Sequence, residues 1–274
     1  MILELQKYVL HRETAIYNNK ASILFWILGG FFIANALVAE FIGVKIFSLE
    51  ETLGFDALDL TLFGVEGLGF NLTAGVMLWP VVFVMTDVIN EYFGKRGVKR
   101  LSYFTVILIL YAFLMVFIAI WLSPNEWWQN ISGTLGDDPN ASITNMNTAF
   151  SKIMGQGLWI IFGSLVAFLV GQIIDVLVFQ KIKKWTGESS LWLRATGSTL
   201  VSQFIDSFVV LIIAFYIGAD WDLVRVLAIG TVNYIYKFAM AILLTPLIYL
   251  AHYLIDNWLG EDLALKLKEE AILE

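Results

Sequence analysis

Acidic, amide and basic side chains recur at helical spacing inside apolar runs of this chain. In WPVVFVMTDVINEYFGKRGVKR, from Trp79 to Arg100, Asp87 and Glu91 stand four residues apart. On a helix both project from one face, with Thr86 and Asn90 one step round. Gln172 with Asp175, and Gln203 with Asp206, each place an amide three residues before a carboxyl on one face. The two pairs sit in an internal echo, GSLVAFLVGQIID from Gly163 and GSTLVSQFID from Gly197. Asn233 and Lys237 lie one turn apart in a later run, and Asn35 lies in the first. A carboxylate at hydrocarbon depth is expensive and faces a bundle interior rather than lipid. Gln beside Asp supplies acceptors and an amide, which suits the edge of a flat, hydrogen-bonding ligand. Any one of these residues could instead pair only to fix helix register. Three intramembrane acids facing one base, however, leave an excess of negative charge that calls for a proton, a cation or a donor-rich ligand. That favours a pocket.

The elements that must carry these residues follow from composition. Of 274 residues, 59% are hydrophobic and 15% charged, with a mean hydropathy of +0.76; a soluble domain with a polar surface does not tolerate this. The chain reads as an all-α polytopic membrane protein. There is no cysteine and only His11 and His252, so thiolate metal sites, a histidine cluster and a nucleophile constellation for an intramembrane enzyme are all missing. No G-x-x-x-x-G-K-[ST] phosphate loop occurs. The net charge of -7 resides mostly in loops and tail and implies no partner. Neither cofactor nor nucleic acid is expected.

Six transmembrane helices are predicted, at about 22–47, 71–92, 101–122, 158–179, 195–217 and 226–253, within a transporter domain of residues 21–256. Pro80 should kink the second. Residues 1–20 read as an amphipathic cytoplasmic segment and 257–274 as an acidic cytoplasmic tail. The acidic 48–70 segment and the irregular 123–156 loop, with its paired Asp137 and Asp138, should lie outside. Residues 147–154 read as an interfacial helix. Thirteen of the 17 Lys and Arg then fall on one side, in the N-terminal segment, two loops and the tail, which puts both termini in the cytoplasm. Glu40 and Lys45, near the far end of the first span, read as interfacial, and Asn35 as interhelical glue or a ligand contact. At 1.5 Å per residue, Asp206 and Lys237 each lie about 18 Å from opposite edges, and Asp87 about 12 Å from the inner one. Asp87, Asp175 and Asp206 are therefore expected to converge on Lys237. An inverted three-plus-three arrangement is compatible with the layout.

TDVINEYFGKR in the second span, SLVAFLVGQIIDVLVF in the fourth, RATGSTLVSQFIDSFVV in the fifth and NYIYKFAMAILLTPLIYL in the sixth, taken in order, resemble the bacterial queuosine precursor transporter family, also called the vitamin uptake transporter family. The resemblance covers residues 71–253. It implies an inner-membrane importer of 7-cyano-7-deazaguanine or its aminomethyl relative, and places the family's motif residues on Asp87, Glu91, Gln172, Asp175, Arg194, Gln203, Asp206 and Lys237. Two departures occur: Tyr92-Phe93-Gly94 stands where the family often has Tyr-Gly, and Gly157-Leu158 where it often has an Arg. A small-molecule deazapurine and the lipid bilayer are the expected partners. A homodimer, or a substrate-binding subunit energised by a separate ATPase, remains compatible with the sequence.

Overall fold

The computed structural model describes residues 2–130, 133–134, 142–186 and 190–273, with the side chains of 2–18, 133–134, 142 and 273 excluded. Asp137 and Asp138 lie outside the described residues, as do the side chains of the expected amphipathic N-terminal segment. The elements run α1 (Ile2–Ile42), β1 (Ile46–Ser48), α2 (Leu49–Thr52), β2 (Leu60–Leu62), β3 (Val65–Leu68), β4 (Asn71–Thr73), a 3-10 turn (Ala74–Met77) and α3 (Trp79–Trp121). They continue with α4 (Glu126–Gln129), β5 (Gly133–Thr134), β6 (Ser142–Ile143), α5 (Met146–Met154), α6 (Leu158–Thr186), α7 (Leu191–Leu211) with a π-helical extension (Ile212–Ile217), α8 (Leu223–Leu259) and α9 (Glu261–Leu273). The strands form antiparallel pairs, β1 with β4, β2 with β3 and β5 with β6. Among the described residues, five helical stretches are long and apolar enough to cross a membrane.

α3 contains a break. Gly94 has φ 61° and ψ −171°, a conformation essentially restricted to glycine, and the chain turns back there. The Phe93 ring packs on Phe25 of α1 at 5.1 Å, and a Cβ on Gly97 would also meet Phe25. From this corner both arms climb the same helix. Gly75, before the first arm, abuts Ala39, where a Cβ would lie 2.5 Å from the Ala39 carbonyl oxygen; Phe113 of the second arm meets Phe41 at 5.4 Å. The two arms thus run in opposite directions along α1.

The main core joins Leu24, Leu28 and Phe32 of α1 to Val88, Tyr92 and Leu101 of α3 and Phe168 and Val176 of α6. It also takes Leu267 of α9, so the acidic tail folds back as a helix with its apolar side buried, including Ala264 and Ala271. Large apolar side chains such as Trp26, Ile107, Phe162 and Leu243 cover the outer faces, as lipid contact requires.

Several expectations on element ends are corrected. Asn71 begins a strand, not a span. Pro80 sits in the first turn of α3, where its missing N–H disturbs nothing, rather than kinking a helix midway. α6 continues to Thr186 and α7 begins at Leu191, so Lys183 and Arg194 ride on helices and are buried, not spread along a solvated loop. Glu50, at the start of α2, braces the 48–70 segment. It accepts from the Phe70 N–H at 2.7 Å and from the Ser48 hydroxyl at 3.2 Å. Burial alone would push its carboxyl up, but the hydrogen bonds of Phe70, Ser48 and neighbouring backbone outweigh it and hold the pKa below the usual value.

Gly94→Ala is expected to destabilise the protein by about 1–3 kcal/mol, the cost of forcing a side chain into that conformation, seen as a lower thermal midpoint in detergent. Gly30→Ala, where a Cβ meets nothing within 4 Å, serves as the neutral control. Because the Glu50 pKa is depressed, its contribution is complete above about pH 4.3 and is lost as pH falls through the lower folded value. Hydrogen exchange at the Phe70 amide should accelerate over that acid range, and Glu50→Gln should remove the dependence.

Candidate functional site

Between α1, α6, α7 and α8 lies a cavity of about 680 Å³, within the range of small-molecule sites. It opens beside β1, β4 and α5, with Lys45, Lys152 and Gln156 at its mouth. Its polar floor is Asp206 of α7 and Lys237 of α8, joined by an ion pair of 2.5 Å, with Asn233 one turn from Lys237. Glu40 of α1 lines the opposite wall and is hydrogen-bonded by the Ser164 hydroxyl. Trp79 and Phe215 add flat apolar surface.

Local structure holds these groups in place. Gly163 lets α6 approach α7 so closely that a Cβ would lie 3.1 Å from the Val210 carbonyl oxygen and 3.3 Å from the Ala214 nitrogen. That contact falls where α7 widens into its π-helical turn, a feature frequent at functional sites, and Leu211, Ala214 and Phe215 of this stretch line the cavity. Trp79 packs on Phe168 at 5.5 Å, which fixes the indole against the cavity wall.

Below the floor, α7 presents Arg194, Ser198, Ser202 and Asp206 at intervals of four, one polar stripe about 18 Å long. Asp87 of α3 accepts from the Ser198 and Thr199 hydroxyls at 3.2 and 3.0 Å, and Asp175 of α6 accepts from Ser202 at 3.0 Å. Both carboxyls are fully buried, and they interact directly with one another. Deeper still, Glu91 takes Arg194 at 2.8 Å and Lys183 at 3.2 Å. Beside it the Tyr92 hydroxyl donates to Asp256 at 2.7 Å and lies 3.0 Å from His252 Nδ1, while Lys268 of α9 meets Asp256 at 2.8 Å. A tyrosine has one proton, so His252 Nδ1 must carry the hydrogen that it shares with Tyr92. The end of the bundle remote from the cavity is therefore closed by ionic contacts between α3, α6, α7, α8 and α9.

The sequence-selected residues separate accordingly. Asp206, Lys237 and Asn233 line the cavity, and Gln203 lies just behind Lys237 in a narrow void. Asp87, Asp175, Glu91 and Arg194 do not reach it. The expected convergence on Lys237 is corrected: Asp206 alone meets it, because Asp87 and Asp175 face each other and three hydroxyls. Gln172 turns away from the cavity, accepting from Thr86 at 2.8 Å. Asn35 donates to the Phe31 carbonyl of its own helix at 2.8 Å and does not line this cavity. The reading of Glu40 as interfacial is also corrected, since it is 6% exposed and inside the wall. A signal for it existed: Ala36, Ala39 and Gly43 make that face of α1 narrow enough for close packing. Trp79 had no comparable signal among the 41 aromatic residues other than its place beside Pro80.

Residues 73–251 match the family described as "Putative vitamin uptake transporter". The chain is 32% identical over 199 residues to the "Probable queuosine precursor transporter" of Bacillus subtilis, covering 70% of this chain and 77% of that protein. It is 25% identical over 189 residues to the protein of the same name from Haemophilus influenzae, covering 68% and 71%. To the "Queuosine precursor transporter" of Escherichia coli it is 26% identical over 179 residues, covering 65% and 71%. No solved structure matches the chain. With its apolar helices and this extent of similarity, the chain belongs to the vitamin uptake transporter family and is a multi-pass transporter of the bacterial inner membrane.

Proposed function

We propose that this protein imports a queuosine precursor, 7-cyano-7-deazaguanine or its aminomethyl relative, through the cavity floored by Asp206 and Lys237. The observation that carries the reading is this ion pair, reachable from a large cavity yet held at hydrocarbon depth, where an idle charge pair gains little. A deazaguanine edge presents ring N–H and amine donors beside a carbonyl oxygen. A carboxylate accepts such donors in pairs, and an ammonium donates to the carbonyl. Asp206 and Lys237 supply both within one contact, Glu40 adds a second acceptor, and the Trp79 indole offers a stacking face. The names of the three relatives support the same substrate class.

The reversal of α3 at Gly94 supports counting six crossings, with α3 passing twice. Basic residues cluster at the corner around Gly94, namely Lys95, Arg96, Lys99 and Arg100, which supports an orientation with that end and both termini in the cytoplasm. On this orientation the cavity faces outward and the Glu91 cluster is the closed inner gate. The protein is then held ready to receive substrate from outside.

Liposomes containing this protein alone should accumulate labelled 7-cyano-7-deazaguanine; a requirement for an added ATPase chain would instead make it a binding subunit. Removing one charge-assisted contact costs about 1.5–3 kcal/mol, so Asp206→Asn and Lys237→Ala should each weaken affinity by about 10- to 100-fold at normal membrane expression. Trp79→Ala should lose a stacking contact of about 1–3 kcal/mol. Calorimetric titration with the deazaguanine beside guanine, riboflavin and biotin reads all three. A clear signal from riboflavin or biotin with none from the deazaguanine overturns the substrate.

A further inference from the structure

We infer that the Asp87–Asp175 pair, beneath the cavity, is the proton-binding site through which import draws on the proton gradient; this rests on the transport reading above. The argument is a count of hydrogens. Ser198 Oγ lies 3.2 Å from Asp87 Oδ1 and 3.0 Å from the Ala195 carbonyl oxygen, and Ser202 Oγ lies 3.0 Å from Asp175 Oδ1 and 3.1 Å from the Thr199 carbonyl oxygen. Each hydroxyl has one hydrogen, so each serves one of its two acceptors. With Thr199 donating to Asp87 Oδ2 at 3.0 Å, three hydroxyl hydrogens serve at most three of the four carboxyl oxygens, and Asp175 Oδ2 is buried without a donor. A proton on the carboxyl pair supplies the missing hydrogen at the contact between the two acids. Two bare carboxylates there would repel one another, and among the described residues the neighbouring cations contact other acids, Arg194 and Lys183 at Glu91 and Lys237 at Asp206.

A second observation, outside the acidic pair, gives the proton its route. Gln203 is 2% exposed, and neither its amide nitrogen nor its oxygen has a partner. It lines, together with Thr199 and Lys237, a largely apolar void of about 10 Å³ that also touches Pro80 and Val84, space on the scale of one water whose polar partners would include these three side chains. The void lies between the cavity floor and the hydroxyl that bonds Asp87. A proton entering from cavity water passes this point to the pair, as an O–H bond on one carboxyl, and leaves on the far side when the Glu91–Arg194–Lys183 contacts open. Among the described residues, the charged side chains nearest the pair along the helices that carry it are Glu91 on α3, Arg194 and Asp206 on α7 and Lys183 on α6, with Lys237 on α8 paired to Asp206 and Glu40 on α1 lining the same cavity as Asp206.

Coupling follows from position. Asp87 belongs to α3, Asp175 to α6 and the hydroxyls to α7, whose next turn carries Asp206. With the proton bound, the two carboxyls share one negative charge across a hydrogen bond and α3 and α6 can pack together; once it leaves, two like charges push α3 from α6.

The test uses proteoliposomes with an internal pH dye and labelled 7-cyano-7-deazaguanine. An inward gradient of one pH unit should raise accumulation about tenfold for one proton per substrate and acidify the lumen, whereas a sodium gradient should do neither. Asp87→Asn and Asp175→Asn should still bind ligand but lose the response to the gradient. Transport indifferent to protons, or driven by sodium, overturns the inference and leaves the import reading standing. If the deazaguanine neither binds nor moves, the import reading fails, and infrared spectroscopy of the purified protein decides the site alone. A protonated-carboxyl band at neutral pH, lost in Asp175→Asn and in Asp87→Asn, supports it, and absence of the band in the unmodified protein overturns it.

Discussion

A charge at hydrocarbon depth must find its partner on another helix, because no water is there to take it. α7 shows how the structure meets that demand. Its two ionised residues, Arg194 and Asp206, pair with Glu91 of α3 and Lys237 of α8. The pairs lie at opposite ends of one polar stripe, and the hydroxyls of Ser198 and Ser202 occupy the turns between them. Each ion pair fastens α7 to a different neighbour, so the register of the bundle is set by electrostatics at both ends and by hydrogen bonds in the middle.

Small residues make these contacts reachable. Gly75 against Ala39, Gly163 against the π-helical turn, and Gly171 beside Asp206 bring backbones together where packing, not water exclusion, drives association. The π-helical turn adds the opposite effect. It widens α7 where the cavity needs a wall, so tight and open regions alternate along a single pair of helices. α9 then reaches the closed end through Lys268 and Asp256, which links the tail to the same network that holds Glu91.

The charged motifs were legible in the sequence because intramembrane acids are costly and stand out against apolar runs. Their depth was legible too, since helical rise is fixed; Asp206 and Lys237 were expected near the midplane within about 6 Å of one another in height and do meet. Partner choice was not. The echo between GSLVAFLVGQIID and GSTLVSQFID suggests equal roles for Asp175 and Asp206, yet one is sealed against Ser202 and the other opens on the cavity. Rotation about the helix axis separates them, and a one-dimensional pattern constrains rotation poorly when a helix is apolar on nearly every side.

By itself the sequence determined the class, the all-α membrane architecture, the family resemblance and the set of residues able to do chemistry, because hydropathy, spacing and motif order are local properties. Only the tertiary structure decided which acid met which base, that Glu40 and Trp79 joined the cavity, and that Gly94 turned one helical stretch into two opposed arms. Those outcomes depend on contacts between residues far apart in the chain, and on a backbone conformation that glycine permits but does not impose.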